Sequence, residues 1–329
     1  MLKSIGKLLF ALLLTLSLSG AGRLPAADAI TLKFGFVDPA GSMYALGGSK
    51  VAEEVDRATG GKIKIEVYAS GTLGNERDMY EGCQIGTIDM CSVVNVVLSS
   101  FIPELKILDQ PFLFDNVEQA HKVIDGKFGE LIDQKAQTQG VHLVGWMESG
   151  FRNVFSNRPI TKVEDFKGFK IRTMENQMQI ATFNALGAIA TPMAAGEQFT
   201  ALQQGTIDGN ENAVANMLTN RYYEVIKNVT WTNHLYTFIA IGMSDKAWNR
   251  VPADLRPQFL AAVKRGIDYQ RQLLLDGNAA AVKELTEKRG VKFHNIDLGA
   301  VRGQVAKVIE DFRKTLNPEI VKVVEEAKK

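Results

Sequence analysis

Cysteine and histidine are both scarce in this chain of 329 residues, which has two cysteines and four histidines. The spacing of Cys83 and Cys91 matches neither a CxxC redox pair nor a zinc-ligand set. The histidines are His121, His142, His234 and His294, and they lack the paired spacing of metal ligands. We therefore expect no metal and no cofactor. The two cysteines fit either a disulfide, which an oxidising compartment permits, or two small buried apolar side chains.

An excess of charge of one sign is also absent. The chain carries 38 basic and 37 acidic side chains, a formal net charge of +1. Its first 29 residues hold three basic side chains and one acidic side chain, so the remainder has a formal charge of −1. Nucleic acid is therefore excluded as a partner, because its binding needs a basic face. An anionic ligand would have to be held by a local site.

The motifs of common enzyme classes are missing. The sequence contains no GxSxG nucleophile elbow, no HExxH, no P-loop, and no GxGxxG after a predicted strand. We therefore expect a protein that is not an enzyme. Because catalytic triads assemble from distant positions, a secreted hydrolase or lyase stays open as an alternative.

Long apolar runs are missing after residue 30, but a short one precedes it. Lys3 and Lys7 lead into the apolar stretch 8–18, and small residues follow up to the A-x-A pattern at 27–29. This order predicts a secretory signal peptide over residues 1–29, since a membrane-spanning helix needs about 20 apolar residues. No cysteine lies near the cleavage site to carry a lipid. We expect an exported, soluble, periplasmic protein without a lipid anchor.

The remaining 300 residues alternate between strand and helix patterns. β-rich segments at 31–37 and 63–69 flank a stretch with apolar residues at helical spacing. This βαβ order predicts a parallel sheet, and the alternation continues to the strands at 142–147, 168–173 and 206–208. The fold class is therefore α/β, with a length that suits two lobes.

Two further features indicate how the lobes are arranged. The tetrapeptide GTID occurs at 86–89 and at 205–208, each time directly after an amphipathic helix, which favours two lobes of similar topology. Residues 255–289 contain few helix breakers. They predict either one helix, roughly 50 Å long at 1.5 Å per residue and able to bridge both lobes, or two successive helices.

Three polar residues follow predicted strands. Arg152 comes after the strand at 142–147, Arg172 closes the strand at 168–173, and Asn212 follows the strand at 206–208. Ligands settle at the carboxyl ends of parallel strands. An arginine fork donates two parallel hydrogen bonds to a carboxylate, and asparagine can add another. These residues are candidates for a carboxylate site, although each also fits an ordinary surface position.

From about residue 30 onwards the chain resembles the DctP-type solute receptors of tripartite ATP-independent periplasmic (TRAP) transporters. The motifs that carry the resemblance are KFGF (33–36), SGTLGNERDMYEG (70–82), FRNVFSNRPI (151–160), FKGFKIRTMEN (166–176), GAIATPM (187–193) and ALQQGTIDGNENA (201–213). The resemblance implies that Arg172 clamps a ligand carboxylate, that Arg152 supports it, and that Asn212 completes the site.

The resemblance also implies an architecture and partners. It implies a periplasmic binding protein fold with a ligand cleft between two lobes and a long helix linking them. We expect residues 30–149 plus about 237–277 in the first lobe and 150–236 plus about 278–329 in the second. The implied partners are a small carboxylate and the membrane permease subunits of a TRAP transporter, with no nucleotide. A sensing subunit that reports to a signalling receptor would share the same pocket.

Apolar residues at three positions indicate which class of ligand to expect. Val37, Val94 and Ala195 stand where sugar-acid receptors of this family often have polar or aromatic residues. The side chains expected to line the resulting space are Met43, Tyr44 and Met178. Unpaired hydroxyls against such walls would cost about 1–3 kcal/mol each. The sequence therefore favours a bulky apolar or aromatic monocarboxylate, such as an aromatic 2-oxo acid or amino acid. A C4-type dicarboxylate and a sugar acid stay open.

Glu76, in the GNER segment, has two interpretations. It can receive an amine or a hydroxyl of the ligand. It can equally be an acidic residue in the first turn of a helix, where the helix dipole favours it.

Overall fold

A computed structural model describes residues 29–329 of the chain. The predicted signal peptide lies outside these residues except for its last position. Within the described part, no helix combines the length and the apolar character needed to cross a membrane.

Strands and helices alternate along most of the described chain. The strands are β1 (Ile30–Gly35), β2 (Ile63–Tyr68), β3 (Met90–Val94), β4 (Val141–Ser156), β5 (Lys170–Thr173), β6 (Ile189–Pro192), β7 (Gly209–Asn212), β8 (Asn228–Ser244) and β9 (Lys292–Asn295). The helices are α1 (Met43–Ala58), α2 (Glu76–Gln84), α3 (Asn95–Leu98), α4 (Val117–Ile124), α5 (Lys127–Gln137), α6 (Gln177–Ala185), α7 (Gln198–Gln203), α8 (Val214–Thr219), α9 (Asp245–Arg250), α10 (Arg256–Arg289), α11 (Leu298–Arg313) and α12 (Pro318–Ala327). The predicted α/β class is confirmed.

The strands form a sheet with two similar halves in the order β2-β1-β3-β8-β4-β7-β5-β6, and β9 pairs with β8. In the first half, β1 lies parallel to β2 and β3, and β3 lies antiparallel to β8. In the second half, β5 lies parallel to β6 and β7, and β7 lies antiparallel to β4. The sheet is therefore mixed rather than wholly parallel as predicted, because β8 lies antiparallel to β3 and β4, and β4 lies antiparallel to β7.

Each half of the sheet has its own apolar core, which makes two lobes. The first lobe is packed around side chains such as Phe34, Phe128 and Phe238, and the second around Phe166, Phe169 and Phe155. The 16-residue β4 and the 17-residue β8 pass through both lobes. At ~3.3 Å per residue each spans roughly 50 Å, so these two strands connect the lobes.

The end of the chain differs from the expected division. Residues 278–329 were expected in the second lobe, but α12 buries Ile320 and Val324 in the core of the first lobe. Its apolar face packs there beside α4 and α5. The chain therefore returns to the first lobe at its end.

The two GTID segments build the same turn in both lobes. Gly86 and Gly205 have φ angles of 71° and 68°, the left-handed region that suits glycine after a helix. The carboxyl of Asp89 accepts a hydrogen bond from the backbone of β1 at 2.9 Å, and that of Asp208 accepts one from β5 at 2.9 Å. GTID is thus a turn that leads into β3 or β7, and the strand predicted at 206–208 begins at Gly209 instead. The similar topology of the lobes is confirmed.

Residues predicted as a long helix form one continuous helix, α10, of 34 residues. It packs against α1 at very short range, since a Cβ atom added to Gly266 would lie 2.7 Å from the Cα of Val51. Helix α10 also contacts β4 in the middle of the molecule, where the Gln270 side chain bonds the backbone N–H and C=O of Glu148 at 3.0 and 2.8 Å. The alternative of two successive helices is therefore wrong.

Two other expectations are corrected or resolved. The predicted strand at 142–147 continues to Ser156 as β4, because polar residues and Gly150 interrupt its apolar pattern without ending its pairing with β8. Cys83 and Cys91 are both buried and unbridged, Cys83 in α2 and Cys91 in β3.

We predict that Gly266→Ala destabilises the protein by about 1–3 kcal/mol, because the new methyl group overpacks the contact between α1 and α10. Gly303→Ala is the matched control in α11, where a Cβ atom would meet no atom within 4 Å. That variant should gain roughly 0.5–1 kcal/mol from helix propensity. Urea unfolding measures both values, and equal effects at the two positions would contradict the close packing of α10.

Candidate functional site

A cavity of about 330 Å³ lies between the two lobes, at the low end of the volumes typical of small-molecule sites. Its wall combines residues that follow β1 and β2 and the last residue of β3 in the first lobe with residues from β4, β5, β7 and α8. It lies beside the middle of β4, where the pairing with β8 shifts register on both sides of Gly150. β-bulges of this kind redirect side chains and are common next to functional sites.

Most of the residues predicted for the site line this cavity. They are Arg172, Arg152, Asn212, Glu76, Tyr44, Val37, Val94 and Ala195. Met43 and Met178 are not brought to its wall. Met43 packs instead with Leu274 of α10 and Ala215 of α8, and Met178 is buried in the first turn of α6.

Arg152 lies within β4 and is already paired. Its Nε and Nη2 donate to the two carboxylate oxygens of Glu211 at 2.5 and 2.8 Å, in the bidentate geometry that arginine favours. His234 contacts the same carboxylate at 3.2 Å. Burial alone would raise the pKa of Glu211, but the Arg152 charge and the His234 hydrogen bond lower it to about 2. The Arg152 and Glu211 charges therefore cancel each other.

Arg172 lies in β5 and has no such partner. Its Nε and Nη2 both donate to the backbone carbonyl of Met193, at 3.0 and 2.7 Å. It is 3% exposed, and within residues 29–329 no carboxylate forms a salt bridge with it. Burial lowers its pKa, yet an arginine keeps its charge at any physiological pH. The carbonyl holds one edge of the guanidinium and leaves Nη1 for a ligand.

Asn212 is oriented by its neighbours. Its Oδ1 accepts from Arg152 Nη1 at 3.1 Å, from the Ala213 N–H at 2.9 Å and from Asn216 Nδ2 at 2.7 Å. Three donors on the oxygen fix which way the amide faces. Its NH₂ group remains able to donate to a ligand acceptor.

Two carboxyl groups, Asp38 and Glu76, also line the cavity. Burial raises the pKa of Asp38 to about 6 and that of Glu76 to about 7. Glu76 is the first residue of α2, and its Oε1 accepts from the Val94 N–H at 2.7 Å. Close to neutral pH these groups exchange between donor and acceptor forms, which suits ligand hydroxyls.

The lobes touch each other at the cavity wall. The amide of Asn216, in α8 of the second lobe, donates to the hydroxyl of Tyr44, in α1 of the first lobe, at 2.6 Å. The Tyr44 hydroxyl in turn donates to Ser149 of β4 at 2.7 Å. These two hydrogen bonds join both lobes to one of the connecting strands, so the lobes are closed over the cavity.

Several lining residues escaped the sequence interpretation. They are Asp38, Ser149, Gln198, Asn216, Asn220 and Tyr222. Two signals were available. Asp38 directly follows the strand predicted at 31–37, at the position where ligands of parallel sheets bind. Asn212, Asn216 and Asn220 recur every four residues, a spacing typical of one helix face, and they lie just before, within and just after α8.

In combination, the site offers one cation, Arg172, that forms no salt bridge within the described residues. The Arg152 and Glu211 pair is neutral, and of the two acids with raised pKa values Asp38 is mostly ionised and Glu76 partly ionised at pH 7. Such an arrangement can hold one anionic group at Arg172 and Asn212 and can pair neutral polar groups around it.

Comparison with known proteins relates this geometry to a family. The family described as "Bacterial extracellular solute-binding protein, family 7" (DctP) matches residues 34–315. The C4-dicarboxylate-binding periplasmic protein DctP of Rhodobacter capsulatus is 31% identical over 297 residues, which cover 89% of this chain and 87% of that protein.

Solved structures are similar over the whole fold. A TRAP periplasmic solute-binding protein from Polaromonas sp. JS666, bound to D-erythronate, has a TM-score of 0.86 at 33% identity, with coverage of 91% of this chain and 98% of that chain. The sugar acid binding protein DctPAm from Advenella mimigardefordensis, in complex with galactonate, has a TM-score of 0.87 at 31% identity, with coverage of 91% and 98%.

The overall fold of the described chain, with its mixed sheet and its long helix α10, agrees with the fold of these proteins. Relatives above 30% identity cover nearly the whole described chain, and the family match covers most of it. The chain therefore belongs to the DctP family of bacterial extracellular solute-binding proteins, family 7, the solute receptors of TRAP transporters.

Proposed function

We propose that this protein is an exported periplasmic receptor that captures a small organic acid between its lobes and delivers it to a TRAP membrane permease. The observation that carries the proposal is Arg172, a buried guanidinium in the cavity wall that no carboxylate of the described chain neutralises. A ligand carboxylate would supply the missing charge. Ligand contacts to both lobes exist only in the closed position, so binding shifts the population towards it.

The ligand that the charges support best is a small monocarboxylate with hydroxyl groups. One cation is left for one carboxylate. A second ligand carboxylate in this small cavity would come close to Asp38 and Glu76, and like charges at short range repel each other. The carboxyl and amide groups of Asp38, Glu76 and Asn220 can instead pair with hydroxyls. A sugar acid, one of the alternatives left open by the sequence, has this chemistry, and two relatives were solved with D-erythronate and galactonate.

Apolar residues occupy part of the cavity wall, and they favour a ligand with some apolar surface. Val37, Val94 and Ala195, on which the preference for an apolar or aromatic monocarboxylate rests, line the cavity together with Met174 and Ile239. They limit how many hydroxyl groups can be paired. A short hydroxy acid with some apolar surface satisfies both parts of the wall better than a fully hydroxylated hexonate.

A panel of acids tests the ligand class. We expect thermal stabilisation by short hydroxy monocarboxylates such as D-erythronate, since a ligand at 100 times its Kd adds about 2.7 kcal/mol. Succinate and phenylpyruvate represent the dicarboxylate and aromatic alternatives, and smaller shifts are expected for both. Thermal unfolding with each acid at equal concentration gives the ranking. A larger shift with phenylpyruvate would restore the aromatic preference, and recovery of a chemically altered acid would favour an enzyme.

Substitution of Arg172 tests the carboxylate clamp. Arg172→Ala should lower the affinity for the best acid of the panel at least 100-fold, because breaking a buried ion pair costs about 3–5 kcal/mol. Arg158→Ala is the control, since this arginine lies in the same lobe but outside the cavity wall. Titration calorimetry measures both. Affinity that is unchanged in the Arg172 variant, with a folded protein, would remove the clamp.

Ligand affinity should depend on pH through Glu76. Burial in the closed cleft raises its pKa to about 7, and an open cleft would return the pKa towards about 4.3. Closing therefore takes up a proton, so this contribution to affinity is complete below the lower pKa and is lost as pH rises through about 7. We expect roughly tenfold tighter binding at pH 5.5 than at pH 8, and a smaller ratio for Glu76→Gln. Affinity that rises with pH would contradict this assignment.

A further inference from the structure

A second polar contact joins the lobes outside the ligand cavity. Asn176 caps α6 in the second lobe, and Asp109 ends a 3₁₀ helix (Pro103–Asp109) in the first lobe. The Asn176 Nδ2 donates to Asp109 Oδ2 at 2.7 Å, and the Ser99 hydroxyl donates to the same oxygen at 2.8 Å. All three residues are buried, and none of them lines the cavity. This contact cannot be a ligand contact.

The amide of Asn176 is fixed by its own helix. Its Oδ1 accepts from the backbone N–H groups of Met178 and Gln179 at 3.0 and 3.1 Å, as an N-cap side chain does. With the oxygen held by α6, the nitrogen has to point away from the second lobe. It therefore meets Asp109 without a further loss of side-chain freedom.

Burial of the Asp109 carboxyl in this position destabilises the closed structure. Within residues 29–329 its Oδ1 has no hydrogen-bond partner, and burial raises its pKa to about 7. A buried polar atom without a partner destabilises a structure, and each such case in a native protein calls for an explanation. Here the carboxyl is buried where the lobes meet, so the position of the lobes decides how much water reaches it.

The contact has a counterpart on the other side of the pseudo-symmetric fold. Helices α1 and α6 follow the equivalent strands β1 and β5, and helices α3 and α8 follow the equivalent strands β3 and β7. Tyr44 of α1 meets Asn216 of α8 at the cavity wall. In the equivalent position of the other half, Asn176 at the start of α6 donates to Asp109 and contacts Ser99, which follows α3. The two contacts therefore tie each lobe to the other at equivalent places.

Building on the proposed receptor function, we propose that Asp109, Ser99 and Asn176 form a latch that holds the lobes closed from outside the cavity, whichever acid is bound. Asn176 is a positioning residue in this latch, because it acts through the lobes and touches no ligand. Its side chain has only two rotatable bonds, so a rotation of one lobe about β4 and β8 separates its nitrogen from Asp109. Opening breaks the bond, and closing restores it.

The substitution Asn176→Ser removes the contact with Asp109 and keeps the helix cap of α6. Serine caps a helix as well as asparagine does, but its hydroxyl is too short to reach Asp109 while it caps. We expect about tenfold weaker binding, the scale of a lost hydrogen bond to a charged group, with the loss in a faster dissociation rate. The factor should be the same for D-erythronate and for any second acid that binds. Stopped-flow and calorimetric titrations supply these values.

Asn116→Ser is the matched control. Asn116 caps α4 through a hydrogen bond from the Gln119 N–H at 2.9 Å and lies in the first lobe. The same substitution there should leave affinity and dissociation rate unchanged. A loss of tenfold in this variant too would assign the effect to helix capping and overturn the latch.

Asp109→Ala is a second test that does not depend on the stability of the Asn176 variant. It removes the oxygen that accepts from Asn176 and adds no donor at the place of the unpartnered Oδ1. We expect weaker binding than in the wild type, and no further loss when Asn176→Ser is added, because both substitutions remove the same contact. The latch is overturned if Asn176→Ser binds like the wild type or if the losses of the two variants add in the double variant. In either case the wild type and its Arg172 variant still test the receptor function separately.

Discussion

Two buried arginines border the same cavity, and their different partners are the basis of the proposed ligand charge. Arg152 is neutralised by Glu211 through two short hydrogen bonds within the second lobe. Arg172 meets only the carbonyl of Met193, which orients its guanidinium without cancelling its charge. A buried charge without a counterion is costly, and a ligand carboxylate would relieve this cost. The proposed selectivity for one acidic group rests on this asymmetry.

The fold supplies this asymmetry through its two long connecting strands. Arg152 lies on β4, and the antiparallel pairing of β4 with β7 brings Glu211 opposite Val154, close enough for the ion pair. Arg172 lies two strands away on β5, at the edge of the cavity. The same two strands carry the connection between the lobes, so the Tyr44 to Asn216 contact, the proposed ligand contacts and the proposed latch all depend on the geometry of β4 and β8. The register shifts around Gly150 lie next to the cavity.

Local patterns in the sequence predict much of the fold. The scarcity of helix breakers predicted both ends of α10 to within one residue. The repeated GTID segments predicted two lobes of similar topology. Arg172 and Asn212 were predicted as site residues because they lie at strand ends, and both line the cavity. These features depend on short stretches of chain, so a single sequence contains them.

Features set by long-range pairing could not be predicted in the same way. The partner of Arg152 depends on the register between β4 and β7, which no local pattern encodes. Polar residues in the middle of β4 hid its true length, because that part of the strand connects two lobes instead of filling a core. Met43 has helical spacing and apolar character, yet it packs between α8 and α10, and only the arrangement of three helices excludes it from the cavity.

The charge of the ligand head group is the most direct test of this account. Titration calorimetry should compare the best-binding acid of the panel with its own primary amide, which keeps size and hydroxyl groups but has no negative charge. An unneutralised Arg172 predicts that the amide binds at least 100-fold more weakly, the scale of about 3 kcal/mol for a buried ion pair. Equal affinity of the acid and the amide would contradict the account.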